Sequence, residues 1–345
     1  MKFQTSNVKY DFDDILIEPA KVSYIESRKN IKLDYFPLII APMESVIDEN
    51  NYKFFMDQDF SITYPRNKTF YASDLKNRKP LFFKSYGLEF DAYYHYYIDG
   101  LVNTPILIDV ANGNMSSILD KIRELKTGYQ YRNIKIMVGN VASPDTFLNL
   151  AKAGADYIRI GVGNGSACTT TVQTGIGYPM ASLIKECYQL KCEEGLSTQI
   201  VADGGFRNYS EIIKALALGA DYVMIGSIIS QSLEACGPVY WKGIKIANGN
   251  NKLVEFLFEA GFKLERKYRG LSTKEIQREW GRNEIKTSEG IVKYNPIKYK
   301  ISSWKENFMD YLKSSMSYTG VTTLKDFRNA KINIISQNSF NRFNK

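Results

Sequence analysis

One cysteine stands where a thiol could act. In the stretch GVGNGSACTTTVQTGIGYPM (161–180), Cys168 follows Gly161, Gly163, Gly165 and Ser166 and precedes three threonines, Thr169, Thr170 and Thr171. Glycines let backbone amides approach a ligand closely, and such amides or a nearby helix N-terminus lower a thiol's pKa. A thiolate so prepared is a soft, strong nucleophile, suited to an electron-poor ring carbon such as C2 of a purine. The competing reading is the ordinary lot of free cysteines, which serve as small buried hydrophobes, with the threonines in common turn and cap chemistry. Bases are scarce: the chain has a single histidine, His95 in AYYHYY, which excludes His-rich metal sites and leaves Ser-His or Cys-His mechanisms only with His95 as the base. Three further cysteines, Cys187, Cys192 and Cys236, do not make a disulfide scaffold. Cys187 and Cys192 lie in a helix-like stretch at a spacing that does not suit a zinc pair.

The elements that must hold this loop are legible as eight short apolar or β-branched runs: FPLIIAPM, FSITY, PLFFKSYG, TPILIDVANG, NIKIMVGN, DYIRIGVGNG, TQIVADGG and DYVMIGS. Stretches of helical periodicity such as SPDTFLNLAKAGA and YSEIIKALALGA separate most of them. Strands buried on both faces by crossover helices read this way. The pattern predicts an α/β fold of the (β/α)₈, or TIM-barrel, type. A doubly wound sheet would want its G-x-G-x-x-G turn near the start, whereas the one approximation, from Gly161, follows the sixth run. In such a barrel catalytic groups sit at the C-terminal strand ends. Here those ends read Ala41-Pro42-Met43, Asp109-Val110-Ala111-Asn112-Gly113, Gly139-Asn140, Gly161-Val162-Gly163, Asp203-Gly204-Gly205 and Gly226-Ser227. The last two follow the seventh and eighth runs, where barrel phosphate sites commonly form from unobstructed backbone amides.

With 345 residues, 44% of them hydrophobic and 13% aromatic, the chain can build one large core. The segment MKFQTSNVKYDFDD lacks the apolar stretch of a signal peptide, and no apolar run approaches the roughly 18 residues of a membrane helix. A soluble cytoplasmic protein with no membrane partner is expected. The net charge is +8, and from Lys263 onward 18 Lys/Arg face 8 Asp/Glu, so the basic excess lies in that segment. Such charge suits an anionic partner or simply a solvated face. The aromatics are not arranged for base stacking, and no nucleic-acid partner is expected.

Four separate motifs resemble the IMP dehydrogenase/GMP reductase family. GVGNGSACTTTVQTGIGYP is similar to its catalytic loop, and VADGGFRNYSEIIKALALGADYVMIGS to its phosphate segment. YDFDDILIEPA near the N-terminus and SSMSYTGVTTLKDF near the C-terminus also match. The resemblance implies that Cys168 attacks C2 of a purine nucleotide and that a nicotinamide cofactor exchanges hydride with that carbon. It assigns substrate contacts to Met43, Ser166, Asp203, Gly204, Gly205, Gly226, Ser227, Gly270, Leu271 and Ser272. Cofactor contacts fall to Asp109, Asn112, Gly113, Lys286 and Arg66, with a candidate K⁺ site on the backbone of Gly161, Gly163 and Cys168. A homotetramer is also implied.

Within that family the reductase branch fits better. Residues 65–103 leave no room for the regulatory insert usual in the dehydrogenase, so one barrel domain over 1–345 is expected, with a mobile flap at about 262–295 and a C-terminal segment 296–345. IDVANG (108–113) has the reductase form. The flap from Gly270 to Glu289 holds no Arg-Tyr pair and ends Thr287-Ser288-Glu289-Gly290, like the reductase's Ser-Glu-Gly. The resemblance thus implies NADPH-dependent reductive deamination of GMP to IMP and ammonia through a Cys168 thioimidate, with Glu289 and Thr170 protonating the departing amine. Departures exist: Tyr64-Pro65-Arg66 replaces the family's His-Lys, Thr171-Val172-Gln173 replaces a basic trio, and Gly226-Ser227 replaces Gly-Gly. KYRGLS (267–272) is closer to the dehydrogenase, and Glu234 to Tyr268 is long, with NGNN as an expected surface excursion. The alternatives are an IMP dehydrogenase with a reduced flap, a lapsed nucleotide-binding homologue, and a phosphosugar barrel.

Overall fold

The computed structural model describes residues 8–343 except 67, 69–79, 90–103, 129–133, 271, 280 and 282–286. Strand β1 (Ile15–Ile17) precedes a closed parallel barrel of β2 (Leu38–Ile40), β3 (Ser61–Tyr64), β4 (Phe82–Tyr86), β5 (Ile106–Asp109), β6 (Ile136–Val141), β7 (Tyr157–Ile160), β8 (Gln199–Asp203) and β9 (Tyr222–Ile225). Each strand falls within one of the eight apolar runs, except that β6 extends one residue past its run, and β2 pairs with β9 to close the ring. The fold is a (β/α)₈ barrel.

Alternation along each strand builds two cores. Ile39, Phe83, Leu107, Met137, Val201 and Met224 fill the barrel interior. Their neighbours Leu38, Ile40, Phe82, Ile106, Ile108 and Ile200 face the helix layer. Two residues beyond the interior positions, and so on the same face, the lining turns polar: Ser85, Asp109, Arg159 and Asp203. The barrel is therefore sealed by hydrocarbon below and floored by charge at its C-terminal mouth. The helices between strands are capped as their sequences suggest. Ser143 accepts from Thr146 N at 3.4 Å before Pro144–Lys152, and Asn208 accepts from Glu211 N at 3.1 Å before Tyr209–Leu218. Cys187 is wholly buried in the helix Met180–Glu193, where burial pushes its thiol up, while Cys192 is exposed.

A second sheet was not foreseen. Strands β10 (Pro238–Trp241), β11 (Ile244–Asn248), β12 (Leu264–Arg269) and β13 (Val292–Pro296) form an antiparallel sheet in the order β11-β10-β12-β13. Its core of Leu233, Val239, Val254, Leu264 and Ile297 includes a residue of the helix Lys252–Glu259. The NGNN stretch lies at the surface, with Asn248 and Asn251 exposed, but it is tied down: Gly249 is buried at φ +70°, a left-handed conformation that suits glycine, and Asn251 caps that helix by accepting from Val254 N at 3.0 Å. Arg266 is wholly buried beneath the sheet and donates to the carbonyls of Ser232, Leu233, Ala235 and Gly237. Burial pushes its pKa down to about 10. Strand β14 (Ile332–Ile334) pairs antiparallel with β1, and Ala20 N donates to Tyr318 O at 2.9 Å, joining the N- and C-terminal motifs. Among the described residues no helix is long and apolar enough to cross a membrane.

Candidate active site

The loop after β7 delivers Cys168 to the barrel mouth, half-buried. A tight turn fixes it, with Cys168 N donating to Gly165 O at 2.9 Å. Gly163 has to be glycine here: its φ is +82°, and a Cβ would overlap the Thr171 hydroxyl. On the far side, the chain returning to β13 runs antiparallel to the loop. Ile291 N donates to Ala167 O at 3.0 Å, Thr169 N donates to Glu289 O at 2.8 Å, and Cys168 bridges Gly290. Cys168 and Gly290, 122 positions apart, are thereby held in register, and the neighbouring side chains form a chain. Thr170 Oγ1 lies 3.1 Å from Cys168 Sγ and donates to Glu289 Oε2 at 2.6 Å. A carboxyl group thus reaches the thiol's surroundings through one hydroxyl, the geometry of a proton relay.

Asp203 ends β8 in the same mouth. Its Oδ2 accepts from Asn140 Nδ2 at 2.8 Å, Arg159 Nη2 at 2.8 Å and Arg159 Nε at 3.3 Å. Arg159 Nη1 donates to Asp109 Oδ1 at 2.8 Å, and Arg66 Nε reaches Asp109 Oδ2 at 3.3 Å. Arg159 is only 6% exposed. Burial alone would lower its pKa, but the charges of Asp203 and Asp109 outweigh that and raise it, so it stays a cation. Sequence reasoning missed Arg159 and named Asn140 only as part of a strand end, with no role. The signal for Arg159 was present: a lone charge inside the apolar run DYIRIG, at an interior position. Breaking a buried ion cluster costs about 3–5 kcal/mol, so Arg159→Met should lower the unfolding free energy by that amount in urea titration. A loss below about 1 kcal/mol would mean that water enters freely and keeps both carboxylates solvated.

The expected phosphate loops meet the cysteine loop. Gly204 and Gly205 have φ of +93° and +87°, and a Cβ on either would come within 3.1–3.2 Å of Gly165 N or Asn164 O. A Cβ on Gly226 would lie 2.9 Å from Tyr268 Oη and 3.0 Å from Met43 Sδ. Tyr268, also missed, donates to Met43 Sδ at 3.1 Å. Burial, and then the charge of Asp203, push its phenol up, so it stays neutral. Ser227 opens the short helix Ser227–Ser230. A Cβ on Gly270 would meet Ala167 O at 2.7 Å, and one on Gly290 would meet Ser272 Oγ at 3.1 Å. Met43, Ser166, Asp203–Gly205, Gly226 and Gly270 are thus brought to one mouth.

The residues expected to contact a cofactor are less uniformly placed. Asp109 lies at the charged floor, and Gly113 N donates to Asn140 O at 2.9 Å beside it. Asn112 is exposed and accepts from Asn114 N at 3.1 Å. The carbonyl of Gly161, one of the candidate cation ligands, accepts from Asn140 Nδ2 at 2.9 Å. Leu271, Lys286 and His95 lie outside the described residues. Among the described residues no group of three or more His, Cys, Asp or Glu side chains could hold a metal ion.

Fold and site define a class: a (β/α)₈ barrel with a thiol–hydroxyl–carboxylate chain at its C-terminal mouth and glycine-rich loops opposite. The IMP dehydrogenase/GMP reductase domain profile matches residues 98–342, and the chain belongs to that family. It is 32% identical over 226 residues to an inosine-5'-monophosphate dehydrogenase of Chlorobaculum tepidum, covering 65% of this chain and 43% of that protein. It is 27% identical over 351 residues to a GMP reductase of Shouchella clausii, covering 96% and 97%. A GMP reductase of Caenorhabditis elegans is 27% identical over 341 residues, covering 92% and 89%. The chain therefore spans under half the length of the first relative and nearly all of the second.

Proposed function

We propose that the protein is a GMP reductase that uses NADPH to convert GMP to IMP and ammonia. The observation that carries this reading is Thr170 Oγ1 standing between Cys168 Sγ at 3.1 Å and Glu289 Oε2 at 2.6 Å. Attack of the thiolate on C2 forms an S–C bond and moves a pair of ring electrons onto nitrogen. The exocyclic amine then needs a proton before it can leave, and Glu289 can send one through Thr170. Loss of ammonia leaves a thioimidate on Cys168. The nicotinamide cofactor, when bound, supplies the hydride for C2, and the sulfur departs as thiolate. In sum GMP, NADPH and two protons give IMP, NADP⁺ and ammonium. The polar mouth of Asp109, Arg159 and Gly113 fits a polar carboxamide ring, which supports these residues, with Asn112, Arg66 and Lys286, as its holders. A single-domain homotetramer with K⁺ as an accessory ion completes the proposal.

The decisive test is the absorbance of reduced nicotinamide, followed with GMP plus NADPH and separately with IMP plus NAD⁺. Loss of absorbance in the first mixture supports the reductase. Steady gain in the second, with XMP formed, would assign the chain to dehydrogenation instead, the direction in which KYRGLS points.

On the same reading the amides of Gly204, Gly205, Gly226 and Ser227 take the 5′-phosphate, and Asp203 accepts from the ribose hydroxyls. Three N–H donors converge on Oδ2 of Asp203, so Oδ1 is the oxygen assigned to ribose. Losing the carboxylate leaves polar edges unpaired, which costs about 2–3 kcal/mol. Asp203→Ala should then weaken GMP binding by roughly 30- to 150-fold, measured by calorimetry. Unchanged affinity would put the nucleotide elsewhere.

A further inference from the structure

Strand β12 carries two cations on one face. Lys267 and Arg269 are two residues apart and so point the same way, opposite to the buried Tyr268. The helix Lys274–Glu279 carries two carboxylates, Glu275 and Glu279, four residues apart and so on one face. The two patterns meet. Lys267 Nζ lies 2.5 Å from Glu275 Oε1, and Arg269 Nη1 lies 3.2 Å from the same oxygen. Arg269 Nη1 also donates to Glu279 Oε1 at 2.7 Å, and Nη2 donates to Glu279 Oε2, a bidentate pair.

A third carboxylate comes from the barrel. Glu44, directly after Met43, reaches Arg269 Nη2 at 3.3 Å. The Arg269 side chain is 14% exposed and that of Glu44 is 15% exposed. Burial by itself would lower the guanidinium's pKa, and Glu279, Glu275 and Glu44 together raise it. Isolated exposed ion pairs contribute little, but a bidentate arginine shared by three carboxylates from two elements is a geometric device.

Its position ties it to the chemistry. The residue after Arg269 is Gly270, whose N donates to Ile291 O at 3.3 Å, while Ile291 N donates to Ala167 O and Thr169 N to Glu289 O. Arg269 itself pairs with Val292. Only two residues of the returning arm, Gly290 and Ile291, separate Val292 of that pair from Glu289. We propose that Arg269 is a positioning residue: it clasps the helix Lys274–Glu279 to the barrel loop at Glu44, and so keeps the returning arm in the register that holds Glu289 on Thr170. The kinetic consequence rests on the proposed GMP reduction, whereas the clasp itself does not.

The test is hydrogen exchange on the full-length protein without ligands, with steady-state kinetics beside it. In Arg269→Gln the amides of 272–279 and 287–291 should exchange at least about fivefold faster while β2–β9 are unchanged. Arg269→Lys, which keeps the charge and loses the fork, should fall between. For GMP, kcat should drop about tenfold with KM moving less than about threefold, as expected when a relay and not a binding contact is misplaced. Raising the salt should shift the wild type toward the variant. Equal exchange in Arg269→Gln and wild type would overturn the clasp, and fast exchange with kcat unchanged would overturn its hold on Glu289. If Arg269→Gln also loosens the barrel, Glu279→Gln, whose side chain is 48% exposed, decides the same comparison. A wild type that does not reduce GMP fails the functional reading alone, and the exchange still decides the clasp.

Discussion

Cys168→Ala should abolish turnover, by at least about 10³-fold, with the fold intact. Removing the nucleophile of a covalent mechanism removes the path, and what remains is binding and electrostatics. The thiol is half-buried in a loop and makes its side-chain contact to Thr170 Oγ1, outside both barrel cores. Its loss should leave the unfolding free energy in urea within about 1 kcal/mol of wild type. Cys187 provides the contrast. It is wholly buried in a helix and burial pushes its thiol up, so a thiol-directed reagent at neutral pH should label Cys168 and the exposed Cys192 well before it. GMP should protect Cys168 and not Cys192. Activity of Cys168→Ala within tenfold of wild type would remove the covalent mechanism, and with it the reason for the relay.

The barrel was legible because its strands are buried on both faces, and a run such as TPILIDV announces that locally. The candidate loop around Cys168 was legible because its residue types have few other uses together. What stayed hidden depends on distance. The alternation LERKYR in β12 encodes one face of a sheet, but its partners β10 and β13 are Val239–Trp241 on one side and Val292–Pro296 on the other. No local pattern names those pairings. Arg159 was hidden differently. Its charge contradicts its strand, and only the inside–outside alternation, with Tyr157 and Arg159 both inward, turns that contradiction into a mouth-lining cation. Tyr268 lay within a quoted motif, yet its role rests on Met43, 225 residues away. Local sequence thus specified the frame and marked the candidate thiol loop, while the charge cluster and the second sheet needed the closed fold.

Glu289→Gln should separate the two half-reactions. Ammonia departs readily only once protonated, and a carboxylic acid acting through Thr170 can supply that proton. Glutamine keeps the size of the side chain and a hydrogen bond to Thr170 Oγ1, but it has no proton to pass on. Loss of a positioned general acid costs about 10²- to 10⁴-fold, and GMP reduction should slow by that much. The reverse partial reaction, oxidation of IMP by NADP⁺ to the Cys168 thioimidate, has no amine to expel and should be far less affected. Rapid-mixing absorbance on each half-reaction gives the comparison. The backbone argues that the variant keeps its place: Glu289 O accepts from Thr169 N at 2.8 Å, and Gly290 bridges Cys168, whatever the side chain. Equal slowing of both halves would therefore mean that Glu289 shapes the mouth or the cofactor's seat and carries no proton. Selective slowing of amine loss would make the 2.6 Å contact between Thr170 and Glu289 the feature that commits this barrel to deamination.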